Sequence, residues 1–135
     1  MDKINLKEWT VYYVKNKDLI NRKLKSFDES SDRINFHFKD FDHTYYIRET
    51  LNSDVFDISN IHGKKSIVCL ASRENLDFLI KHWNEFKTFQ DSSLIFVDLS
   101  SNNKWLINPF VHNKICDEES LVMGLKTMFE NTFTL

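Results

Sequence analysis

Asp98 closes the apolar run Leu94-Ile95-Phe96-Val97. A carboxylate in that position can bind a metal, orient a ribose or take up a proton. In open sheets with parallel strands, ligands gather beyond the carboxyl ends of the strands. A second apolar run, Ile67-Val68-Cys69-Leu70-Ala71, leads into Ser72 and Arg73, which would share that edge. With His112, these make the candidate ligand set Ser72, Arg73, Asp98 and His112. Each also has a plainer role. Asp98 suits the start of the turn Ser100-Ser101-Asn102-Asn103, Ser72 suits a helix N-cap, and His112 suits a surface or packing position.

His112 and Cys116 are four residues apart, followed by Asp117 and Glu118. On a helix that spacing would place a metal-binding pair on one face. Pro109 argues against a helix there, and no second Cys/His pair completes a tetrahedral set. Nucleophilic chemistry fares no better, because Asp117, Glu118 and Glu119 would raise the thiol pKa. The chain has no Gly-x-Ser-x-Gly elbow. With only Gly63 and Gly124 it also lacks the glycine-rich turns that cradle phosphates. No metal or cofactor is expected, and no catalytic residue is assigned.

Positive charge clusters near the N-terminus at Lys15, Lys17, Arg22, Lys23 and Lys25. Arg33, His37, Lys39 and Arg48 extend it, with Tyr12, Tyr45 and Tyr46 near by. Phosphate contacts from Lys23, Lys25, Arg33, His37, Lys39 and Arg48, with stacking on the tyrosines, would make a nucleic-acid platform. Asp18, Asp28, Glu29, Asp32, Asp40 and Asp42 interrupt the run. A solvated face of mixed charge is the plainer reading.

The elements that must position these residues follow from periodicity. Leu6, Trp9 and Tyr13 recur at helical spacing and predict a helix over 5–16. Leu24 anchors a strand over 20–28; the alternative is a helix that continues to about Leu24. Ile34, Phe36 and Phe38 alternate with Asn35, His37 and Lys39, the pattern of a half-buried strand. Residues 44–48 form the next strand. Residues 66–71 and 93–99 read as strands buried on both faces, parallel and adjacent in the sheet. The helix between them, 76–89, buries Leu76, Leu79, Ile80 and Trp83. Residues 104–108 return antiparallel to 93–99, with Trp105 and Ile107 on one face. A last helix places Leu121, Leu125, Met128 and Phe129 inward. Residues 49–65 are undetermined beyond a short helical or edge segment at Val55, Phe56 and Ile58.

The expected fold is α+β with an α/β-like C-terminal half. One domain spans 1–135, with a single mixed sheet in the order α-β-β-β-β-α-β-β-α and a right-handed crossover. Helix, three antiparallel strands, helix and strand is an order similar to the core of the restriction-endonuclease-like fold. Such enzymes need an acidic residue followed by a Glu-x-Lys-type strand to hold Mg²⁺. Ile67-Val68-Cys69-Leu70 offers neither carboxylate nor lysine, so the resemblance implies a relative without that active site.

Composition bounds the role. A chain of 135 residues with 41% hydrophobic and 28% charged residues can build its own core. A net charge of -2 excludes coating nucleic acid or anionic membranes by bulk charge. The N-terminus has no signal core and no run approaches membrane length. Two cysteines make no disulfide framework, so a cytoplasmic setting is expected. Phe41, Phe56, Phe78, Phe89, Phe110 and Phe133 form an aromatic surplus, some of which falls off the core stripes. As exposed aromatics they would mark a surface for a protein partner or a second copy. The leading expectation is a non-enzymatic binding or assembly domain. Nucleic-acid binding and a small-molecule enzyme are the alternatives.

Overall fold

The computed structural model describes residues 5–115 and 117–133. The elements are α1 (Leu6–Asp18), β1 (Leu24–Glu29), β2 (Arg33–Phe38), β3 (Asp42–Ile47), α2 (Val55–Ile58), β4 (Lys64–Leu70), α3 (Arg73–Lys81), α4 (Trp83–Phe86), β5 (Ser92–Asp98), β6 (Asn103–Ile107), α5 (Pro109–Ile115), a 3₁₀ turn (Glu118–Ser120) and α6 (Leu121–Thr132).

The strands form one six-stranded mixed sheet in chain order, β1 to β6. β1–β3 make an antiparallel meander. β4 joins β3 in parallel and β5 joins β4 in parallel, with Ile67 opposite Leu94 and Leu70 opposite Val97. β6 returns antiparallel, with Phe96 opposite Trp105. The fold is the α+β architecture expected, and the expected parallel pair occupies the middle of the sheet.

The two faces are covered unequally. On one, α2, α3, α4 and α6 pack Val55, Leu79, Phe86, Leu125 and Phe129 onto Tyr46, Ile67, Cys69, Leu94 and Phe96. On the other, α1 supplies Leu6, Trp9 and Val14, which seal Ile34, Phe36, Tyr45, Val68, Ile95 and Val97. Coverage on both faces explains why the adjacent residues Tyr45 and Tyr46 are both buried. β6 lies beyond the shelter of α1: Leu106, opposite Ile95, is 42% exposed, and Lys104, opposite Val97, is also exposed.

Three expectations change. The helix over 76–89 is broken at His82, whose φ of -107° and ψ of 25° leave the helical region. An unbroken helix would set Leu76 and Phe89 about 140° apart at ~100° per residue. The break lets both reach the core. Pro109 starts a helix instead of preventing one, because its missing N–H falls where a helix has no internal acceptor. The Asn108 side chain accepts from Val111 N (3.2 Å), and its carbonyl accepts from His112 N (2.8 Å). The phenylalanine surface is not exposed. Phe89 and Phe133 are buried, Phe56, Phe78 and Phe110 are half-buried, and only Phe41 of the six is exposed. Phe56 packs against Phe78, Phe86 and Phe89, so the surplus fills the end of the helical layer.

Candidate functional site

The predicted edge is built as a turn. Asp98 Oδ1 accepts from Ser100 N (3.0 Å) and Ser100 Oγ (2.7 Å), and Oδ2 accepts from Ser101 Oγ (2.9 Å). The Ser100 bonds, then those of Ser101, hold its carboxyl below the usual range. Ser72 caps α3 by accepting from Asn75 N (3.1 Å). Arg73 reaches across to Glu130 of α6 at 3.5 Å. His112 is not brought to this edge. β6 runs back along β5, so α5 starts near Leu94, and the four residues from there to Asp98 span about 13 Å. His112 packs edge-on against Trp83 at 5.8 Å, and burial lowers its pKa. Cys116 lies outside the described residues. Among them, no three His, Cys, Asp or Glu side chains converge on a point.

The predicted basic platform divides. Arg48 Nε donates to Asp54 (2.8 Å) and its Nη2 to Asp32 (3.3 Å), and Arg33 pairs with Asp32 at 3.1 Å. Both guanidinium groups lie over Tyr46, at 5.9 and 5.0 Å. His37 is clasped by Asp28 (2.7 Å) and Asp42 (3.1 Å), which raise its pKa in that order. All three side chains are therefore paired with carboxylates. Lys23, Lys25 and Lys39 remain exposed beside the end of α1.

A site that sequence reasoning did not assemble lies between α1 and the bare strip of β6. α1 is capped by Asn5, whose side chain accepts from Glu8 N at 2.8 Å. It buries Leu6, Thr10 and Val14. Its next stripe, Trp9, Tyr13 and Lys17, repeats every four residues and so forms a ladder along one side. Trp9 and Tyr13 stack with centroids 5.1 Å apart and planes 7° from parallel. The Lys17 and Lys104 ammonium groups lie 5.7 and 5.4 Å from the Tyr13 ring centre. Trp9 Nε1 donates to Asn102 Oδ1 at 2.7 Å, tying the helix to the β5–β6 turn. The groove between them has a volume of about 620 Å³, and its wall includes Tyr12, 57% exposed. The i, i+4 ladder was legible in the sequence. Lys104, 91 positions from Tyr13 (104 minus 13), was not.

The arrangement defines a mixed α+β domain with a stacked aromatic pair and two lysines in an open groove on its thinly covered face. No family of known proteins matches the chain, and no curated protein matches its sequence. Among the described residues, no helix is long and apolar enough to cross a membrane.

Proposed function

We propose that the chain is a non-enzymatic binding domain and that the groove beside α1 takes single-stranded nucleic acid. The observation that carries this reading is Tyr13, stacked on Trp9 and attended by Lys17 and Lys104, next to exposed Tyr12. Aromatic faces hold unpaired bases whatever their sequence, and lysines on either side hold the phosphates. Lys23, Lys25 and Lys39 extend the positive path past the end of α1. A cytoplasmic location suits this role and the unpaired, buried thiol of Cys69.

Fluorescence anisotropy with labelled oligo-dT tests it. Binding is expected at about 50 mM salt and should weaken steeply as salt rises. Tyr12→Ala should cost about 1–3 kcal/mol of affinity. The double change Lys17→Glu with Lys104→Glu should flatten the salt dependence by roughly 1.4 in log–log slope, at ~0.7 per phosphate contact on single strands. No retention of DNA or RNA at low salt refutes the proposal, as does binding indifferent to these changes.

A second reading, self-assembly, is favoured by one surface. β6 is an edge strand with α6 packed against it, and Met123 of α6 and Ile115 of α5 are 74% and 79% exposed. Open edges and apolar patches invite a second copy of the same chain. Light scattering should then show a dimer that Ile115→Asp with Met123→Asp converts to a folded monomer. A wild-type monomer at high concentration removes this reading.

A further inference from the structure

A second cavity, of about 210 Å³, opens on the same face near the other end of α1. Its floor is His43 and Tyr45, stacked at 4.4 Å. Phe38 and Phe41, stacked at 4.8 Å, form one wall. Lys17 and Lys23 stand at the rim. Lys64 lies 4.1 Å over the ring of Phe41.

The floor carries a polar chain through an otherwise apolar face. His43 Nε2 is 2.9 Å from Ser66 Oγ, and Ser66 Oγ is 2.7 Å from Ser93 Oγ. Strand pairing builds this row, with Tyr45 opposite Ser66 and Ser66 opposite Ser93. Ser66 is buried and His43 and Ser93 are half-buried, which is costly unless they bond, and they bond one another. The two hydroxyls can donate in either direction, so the chain holds the ring in place while leaving either tautomer open. When Ser66 donates to Nε2, Nδ1 carries the proton. Among the described residues Nδ1 has no hydrogen-bond partner, and the ring lines the cavity.

The charge around it is positive. Asp18 is the carboxylate in the lining, and its oxygens already accept from Lys23 N (3.0 Å) and Leu24 N (2.8 Å). An N–H donor at the floor, two ammonium groups at the rim and stacked aromatic walls suit one kind of guest. We propose that this cavity binds a small carboxylic acid with a planar apolar body, its carboxylate held by His43 Nδ1–H, Lys17 and Lys23 and its ring lying against Phe38 and Phe41. The cavity is smaller than the ~300 Å³ lower bound usual for drug-sized ligands, so the guest is compact. The site stands apart from the groove. Lys17 borders both and Lys23 lies on the groove's positive path, so the test leaves Lys17 intact and reads benzoate binding itself, not nucleic-acid binding.

Benzoate, acetate and inorganic phosphate serve as probes in a titration followed by protein NMR. Benzoate should shift the His43 ring and Phe41 resonances saturably, acetate much more weakly. His43→Gln and Lys23→Ala should each weaken benzoate about tenfold or more, the scale of one charge-assisted hydrogen bond. Lys23 is exposed, so its variant remains informative even if His43→Gln misfolds. The proposal is overturned if benzoate leaves His43 unmoved at millimolar concentration. It is equally overturned if phosphate binds as well as benzoate, which would reveal only a cationic patch, or if Lys23→Ala binds benzoate like the wild type.

Discussion

Replacing Asn75 with alanine should destabilise the fold by about 2–6 kcal/mol: roughly 1–3 kcal/mol for the Leu51 amide left buried and unmet, and roughly 0.5–1.5 kcal/mol for each of two bonds lost to carbonyls that keep a backbone donor. Asn75 sits in the first turn of α3 and is 1% exposed. Its Oδ1 accepts from Leu51 N (2.8 Å), and its Nδ2 donates to the carbonyls of Glu49 (2.8 Å) and Leu70 (2.8 Å). One side chain thus ties the segment after β3 to the end of β4 and to the start of the crossover helix. Alanine supplies none of these bonds and leaves the Leu51 amide buried without an acceptor. The neighbouring cap offers a scale, since Ser72→Ala should cost only about 1 kcal/mol. Urea unfolding would show the Asn75→Ala midpoint shifted far more than that of Ser72→Ala, with similar slopes. A loss under about 1 kcal/mol at Asn75 would mean that water or relaxed backbone replaces these bonds.

Stability should also fall by up to about 3 kcal/mol between pH 6.5 and pH 4 on account of His43, since each tenfold difference in proton affinity between folded and unfolded chains is worth ~1.36 kcal/mol. Burial, then the charges of Lys17 and Lys64, push its pKa down to about 4. Above pH 6.5 the imidazole is neutral in both folded and unfolded chains and contributes no pH dependence. Between 6.5 and 4 the unfolded chain takes up a proton that the folded one refuses, so stability drops as pH falls. Below 4 both states are protonated and the full loss is present. His112, also lowered by burial, acts in the same direction. His37 acts oppositely, because Asp28 and Asp42 favour its charged form. The contribution of His43 is therefore read as a difference. His43→Gln should show a flatter decline than the wild type across this window in paired denaturant titrations. Parallel profiles would exclude a buried neutral imidazole at this position.

Local pattern was enough wherever one side of an element faces a core and the other faces water. The alternation of Ile34, Phe36 and Phe38 marks β2, which spans Arg33–Phe38. The unbroken apolar runs at Ile67–Leu70 and Leu94–Val97 announced a parallel pair covered on both faces, because only such strands bury successive side chains. Ser72 as a cap and Asp98 as a turn former were equally legible, since both act within three residues of themselves.

Tertiary structure decided what depends on distant partners. Composition showed twelve phenylalanines but not that Phe56, Phe78, Phe86 and Phe89 satisfy one another. The basic run showed charge but not that His37 and Arg48 would be taken by Asp28 and Asp32 across the meander. Asp98 and His112 read as candidate neighbours until the return of β6 carried α5 to the far end of β5. Lys104 meets Tyr13, and Ser93 meets the chain from His43, only through strand order and the placing of α1. Side-chain type and spacing decide which face a residue shows. Which other residue it meets there depends on long-range packing, because groups far apart along the chain share a site only after the sheet and its helices close around it.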